Sequence, residues 1–126
     1  MNECSINKDI KGVDIIDYDG VGYKPAVKFE AWRVAYLRYS EAFENVKKLE
    51  RHNETDEVFV LLEGEATLII GEEQTKVPMI VGKIYNVLKA TWHAIKASPD
   101  AKVLIVENDN TTVDNTDYIY FETRIM

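Results

Sequence analysis

Apolar residues in this chain come in short runs cut by turn residues, and no run exceeds five positions. Residues 58–62 (Val-Phe-Val-Leu-Leu) and 66–70 (Ala-Thr-Leu-Ile-Ile) flank Glu63-Gly64-Glu65, the composition of a hairpin. Further strands are expected at 75–80, 84–88, 91–97 and 102–107, separated by Gly71-Glu72-Glu73-Gln74, Gly82-Lys83, Lys89-Ala90 and Ser98-Pro99-Asp100. Pro78 removes a ladder donor, so 75–80 reads as an edge strand or an irregular one. Towards the N-terminus, 13–18 and the aromatic, β-branched stretch 32–39 also read as strands, and 118–122 as a last one. Residues 1–12 and 108–116 are polar and read as loops; Asp19-Gly20-Val21-Gly22 reads as a turn, and Pro25 as a further irregular point. The stretch 40–49 has another character: Glu41 and Glu44 come first, Lys47 and Lys48 last, and Phe43 and Val46 lie three apart. It suits a short helix capped by Ser40, or an irregular loop. Short strands at this spacing, without a long helix, predict an all-β sandwich or barrel. Residues 1–126 read as one domain, with a short N-terminal extension and at most one short helix.

Composition narrows the partners. A net charge of −7, with lysines and arginines scattered, opposes a phosphate backbone, so nucleic acid is not an expected partner. Cys4 is the only cysteine, which rules out an intramolecular disulfide and a thiolate zinc site. Residues 1–9 carry no apolar signal segment, and no run approaches the roughly 20 residues of a membrane helix. The expected location is cytoplasmic.

The chain has two histidines, and each lies in a ligand-rich stretch. The first is Glu50-Arg51-His52-Asn53-Glu54-Thr55-Asp56-Glu57, which runs into the apolar segment ending at Gly64. The second is Thr91-Trp92-His93. Two imidazoles and a carboxylate on one triangular face suit a first-row divalent ion and leave positions for water or a substrate. Each residue also has an ordinary reading. His52 suits a solvated strand start, His93 a hydrogen-bonded core histidine, and Glu50 the exposed end of the preceding segment. Glu57 abuts an apolar strand, so its carboxylate needs a partner. Tyr36, Tyr85 and Arg33 are candidates for the mouth of a barrel, Phe59 for its wall or core, and Lys89 and Arg51 for an anionic ligand. There is no phosphate-cradling glycine loop, no Ser/His/Asp pattern and no calcium loop.

The two stretches together resemble the signatures of the cupins, small jelly-roll barrels. His52 fills the second histidine slot of the first signature, with four residues between it and Glu57 and six between Glu57 and Gly64. Gly82, Leu88, Ala90 and His93 fall on the slots of the second. The motif core spans 50–107. Departures are Glu50 at the first histidine slot, Leu88 at the proline slot, Ala90 at the second glycine slot and Ala97 at the final asparagine slot. The resemblance implies a double-stranded β-helix and a divalent metal held by Glu50, His52, Glu57 and His93. It also implies, where such a protein is an enzyme, isomerase, lyase or oxygen chemistry. A carboxylate at the first slot shifts preference toward manganese or iron over nickel or zinc. Three functional expectations follow: a metal site binding a small polar molecule, a metal-free pocket with a polar His–Glu cluster, or a structural barrel filled by its own side chains. Strands apolar on both faces, such as 58–62 and 103–106, predict a covered outer face and hence a homodimer.

Overall fold

Two five-stranded antiparallel sheets face each other in a computed structural model that describes residues 2–125. One sheet runs in the order β12 (Thr116–Tyr120), β5 (Lys48–His52), β10 (His93–Ala97), β7 (Ala66–Ile70) and β8 (Thr75–Pro78). The other runs β3 (Gly22–Phe29), β4 (Trp32–Arg38), β11 (Lys102–Asn108), β6 (Glu57–Glu63) and β9 (Ile84–Val87). A separate hairpin pairs β1 (Ser5–Asn7) with β2 (Ile15–Asp17). No helix among the described residues is long and apolar enough to cross a membrane.

Side-chain alternation builds the interior. On β6, Glu57, Phe59 and Leu61 point inward; on β11, Val103, Ile105 and Glu107; on β10, His93, Ile95 and Ala97. The apolar members join Ala35, Leu37 and Leu68 in the core between the sheets. Residues of opposite parity on the first sheet make a second cluster: Val46, Leu49 and Ile69 are buried, with Trp92, Ile119, Phe121 and Ile125 packed on them. That sheet is therefore covered on both faces. Gly64 closes the β6–β7 hairpin at φ +74°, and a Cβ there would lie 2.7 Å from the backbone of Ala101, so the turn requires glycine.

Three expectations need correction. Residues 40–49 form no helix of two or three turns. A single 3-10 turn, Glu41–Phe43, precedes β5, and Ser40 makes no side-chain cap. Residues 48–52 are instead laddered to β12 and bridged to β10, and two-sided pairing outweighs a marginal helix. The segment 1–12 contains β1, and Gly22–Phe29 is a full strand despite Pro25. That strand lies at a sheet edge, and its register shifts between Pro25 and Val27, where a missing N–H costs little. Within a single chain the outward residues of 58–62 and 103–106 are left partly uncovered: Val58, Val60, Leu104 and Val106 are half-buried, and Leu62 is 39% exposed. Pro78, by contrast, ends β8 at the edge of its sheet as expected.

Candidate functional site

Strand register gathers the two ligand-rich stretches at one end of the interior. β5 presents Glu50 and His52 inward, β6 begins at Glu57, and β10 begins at His93, whose backbone is the register partner of Glu50. The loop between β9 and β10 fixes the His93 imidazole and the backbone of His52. The Ala90 amide donates to the His52 carbonyl at 2.8 Å, and the Thr91 carbonyl accepts from His93 Nδ1 at 2.9 Å. Ala90 holds φ +63°, the left-handed conformation usually given to glycine, at the position where the family signature has one.

Glu57 joins the two histidines. Its Oε1 lies 3.1 Å from His52 Nε2 and 2.9 Å from His93 Nε2. The imidazole centroids are 5.3 Å apart, and the His93 ring also meets Phe59 edge-on. All three residues are buried, so the solvated reading of His52 does not hold. On the far side, His52 Nδ1 shares a hydrogen bond of 2.9 Å with Thr116 Oγ1, from the register partner of His52. Glu50 sits within β5, not at an exposed chain end. Its side chain is 32% exposed, and its Oε1 is 3.7 Å from His52 Nε2.

The electrostatics follow from this contact. Burial opposes charge on either imidazole, but hydrogen bonding and attraction to Glu57 outweigh it, and both histidines titrate above their ordinary range. For Glu57, burial alone would raise the pKa; the two histidines reverse that and hold the carboxylate well below its usual range.

A cavity of about 480 Å³ opens beside this cluster. Phe43, Phe59, Ile95 and Ile105 supply apolar wall, and Lys48 and Tyr118 line it near Glu50. Tyr23, Arg33 and Glu107 form a polar wall contributed by the other sheet. Tyr23 donates its hydroxyl to Glu107 Oε2 at 2.8 Å, and Arg33 Nη2 is 3.4 Å from Glu107 Oε1. Burial, then repulsion by Glu57, pushes the Glu107 pKa up against these two partners. Arg33 also donates to the carbonyls of Asp109 and Thr111, while its buried Nε has no partner.

The structure thus brings together Glu50, His52, Glu57 and His93, and places Arg33 and Phe59 on the cavity wall. It does not place Tyr36 or Tyr85 there. Tyr36 has the opposite parity to buried Ala35 and Leu37, so it faces outward, where its hydroxyl donates to the Ile16 carbonyl. Tyr85 packs against the core and accepts the Ile80 amide at its hydroxyl. Arg51 lies over the Trp92 ring and pairs with Asp117, and Lys89 lines no part of the cavity. Sequence reasoning missed Tyr23, Thr116 and Glu107. The signal for Glu107 was present: it continues the inward series Val103, Ile105 and is the one charged member of it.

No protein-family model matches this sequence, and no curated protein does. Solved structures do match in three dimensions. A cupin-2 domain protein from Shewanella frigidimarina superposes with a TM-score of 0.58 at 18% identity, over 72% of this chain and 84% of that one. Pac13, a nucleoside dehydratase from Streptomyces that has been solved with uridine, superposes with a TM-score of 0.63 at 8% identity, over 82% and 83%. A protein from Planctomyces limnophilus gives 0.54 at 16% identity, over 73% and 72%. At these identities the likeness establishes architecture, and it agrees with the two facing sheets and with the signature positions of His52, Glu57, Gly64 and His93: the chain takes the cupin fold.

Proposed function

We propose that this barrel holds one divalent first-row transition ion at His52, Glu57 and His93, and binds a small polar molecule in the adjoining cavity. The observation that carries this reading is the pairing at Glu57. The Thr91 carbonyl can only accept, so His93 Nδ1 carries the hydrogen and a neutral His93 turns its Nε2 lone pair toward Glu57 Oε1, 2.9 Å away. Two facing acceptors at that separation need a cation or a proton between them. Charge supports the same conclusion. Among the buried groups of the wall, the carboxylates Glu57 and Glu107 face a single cation, Arg33, while Glu50, Lys47 and Lys48 reach solvent. With neutral imidazoles the buried part carries an excess of negative charge that a cation would offset. A second carboxylate in the set, beyond Glu57, would favour manganese or iron over nickel or zinc.

Such an ion, when bound, supplies Lewis acidity toward an oxygen of the bound molecule. The chain supplies the rest. Arg33 offers positive charge, Glu107 and the Tyr23 oxygen offer acceptors, and Phe43, Phe59 and Ile105 exclude water from one side. A volume of about 480 Å³ suits a small-molecule ligand. Pac13, solved with uridine, is an example of a small polar molecule taken by this architecture.

A metal-free pocket is the second reading, and the same geometry favours it in one respect. Imidazolium forms of His52 and His93 satisfy Glu57 Oε1 with no ion present. The double substitution His52→Ala with His93→Ala separates the two. On the metal reading it abolishes binding of added Mn(II) and removes the metal-dependent rise in melting temperature. An equal loss of stability in metal-loaded and stripped protein contradicts that reading. The third expectation, a barrel filled by its own side chains, conflicts with the cavity.

The outer face of the second sheet supports pairing with another copy of the chain. Leu104 is flanked by Val60, and Val60 by Ile84; Val106 is flanked by Val34 and Val58. These residues form a continuous apolar surface, and Ile84 is 72% exposed.

A further inference from the structure

Resting on the metal reading above, we propose that Glu107 is itself a ligand of the ion, giving a set of two imidazoles and two carboxylates in which Glu50 is not the essential acid. The sequence motif points the other way, because Glu50 occupies the slot of a ligand and Glu107 occupies none. Geometry reverses the choice. A carboxylate oxygen of Glu107, a ring nitrogen of His52 and a carboxylate oxygen of Glu57 all lie within 4.8 Å of one another. Glu50 also lies within that distance of His52 and His93, so proximity alone does not decide.

Burial does. Glu107 is 5% exposed, whereas the Glu50 side chain is 32% exposed and can keep water on its oxygens. A buried carboxylate requires a full set of partners. Glu107 Oε2 has a good one in the Tyr23 hydroxyl at 2.8 Å. Oε1 has only Arg33 Nη2 at 3.4 Å, and that guanidinium is also directed at two backbone carbonyls and the Asp109 carboxylate. Oε1 is therefore the under-coordinated oxygen of this buried wall. Glu57 is equally buried and close by, so the two carboxylates repel with no cation shared between them. An ion touching both removes the repulsion and completes Oε1. Tyr23 and Arg33 then orient the ligand from behind, as partners of ligating carboxylates do in metal sites.

The test is titration of stripped protein with Co(II), followed by its visible absorption, and with Mn(II), followed by calorimetry. Wild type, Glu107→Gln, Glu50→Gln and His52→Ala are compared. The expected result is at least tenfold weaker binding and an altered Co(II) spectrum for Glu107→Gln, with less than a threefold change for Glu50→Gln. Loss of binding in His52→Ala with wild-type affinity and spectrum in Glu107→Gln overturns the assignment of Glu107 and leaves the metal reading standing. Absence of binding in wild type overturns both. Glu107→Asp keeps the charge and the partner of Arg33, so it serves where the amide does not fold. It draws the carboxylate back and must weaken Co(II) binding at least threefold; wild-type affinity and spectrum in that variant overturn the proposal.

Discussion

At the scale of single residues, the defining feature is a carboxylate shared by two imidazoles. In stripped protein this arrangement sets a pH window. The histidines titrate above 6.5 when folded, so their stabilisation is complete below that value and is lost as pH rises through their folded pKa. Glu57 titrates below 4.5 when folded, so its contribution is present above that value and is lost as pH falls through the folded pKa. The melting temperature of stripped protein is therefore expected to be highest between these two values and to decline toward alkaline pH. Metal ligation needs neutral imidazoles, so the increment from added Mn(II) grows over the same alkaline range. Calorimetric melting across that range checks both trends; a stripped protein that gains stability above 6.5 contradicts the pairing. His52, Glu57 and His93 were legible in the sequence because their spacing follows a signature. Glu107 was legible only through parity, since nothing near it in the chain marks a site.

At the scale of elements, the loop before β10 does the positioning. Its Ala90 amide and Thr91 carbonyl hold His52 and His93, yet Ala90 occupies a left-handed conformation that costs a non-glycine residue roughly 1–2 kcal/mol. Glycine relieves that strain but loses about 0.5–1 kcal/mol of unfolded-state advantage. Ala90→Gly is accordingly expected to raise stability by up to about 1 kcal/mol with the site intact, read by denaturant melts. A fall of similar size would mean that the loop is not strained as described. Most strands from 58 to 107 were readable within a residue or two, because alternation and turn residues agree there. Residues 48 and 49, which open β5, were grouped with the preceding helix or loop because charges arranged as Glu-then-Lys mimic a helix. The strand identity of β5 comes from β10 and β12, which are remote in sequence. The strand Gly22–Phe29 was hidden by Pro25, which an edge strand with a register shift accommodates.

At the scale of the whole molecule, the two sheets differ in how their outer faces are finished. The first is covered by its own chain, through Phe121 and Ile125. The second carries Val60, Leu104 and Val106 half-exposed, with Ile84 and Trp32 more so. Pairing across this face predicts a dimer by sedimentation, and Val60→Lys with Ile84→Lys is expected to give a folded monomer. A wild-type monomer at high concentration contradicts it. The cavity was not readable from sequence beyond the expectation of a barrel interior, because its far wall is Tyr23, Arg33 and Glu107, drawn from three separate strands.

The central claim is that the His52–Glu57–His93 cluster holds a metal, and elemental analysis meets it most directly. Protein purified without chelator or affinity metal is predicted to carry close to one equivalent of a first-row divalent ion per chain. A blank analysis, together with no thermal shift on adding manganese, iron, nickel or zinc, would contradict the account and leave a metal-free pocket.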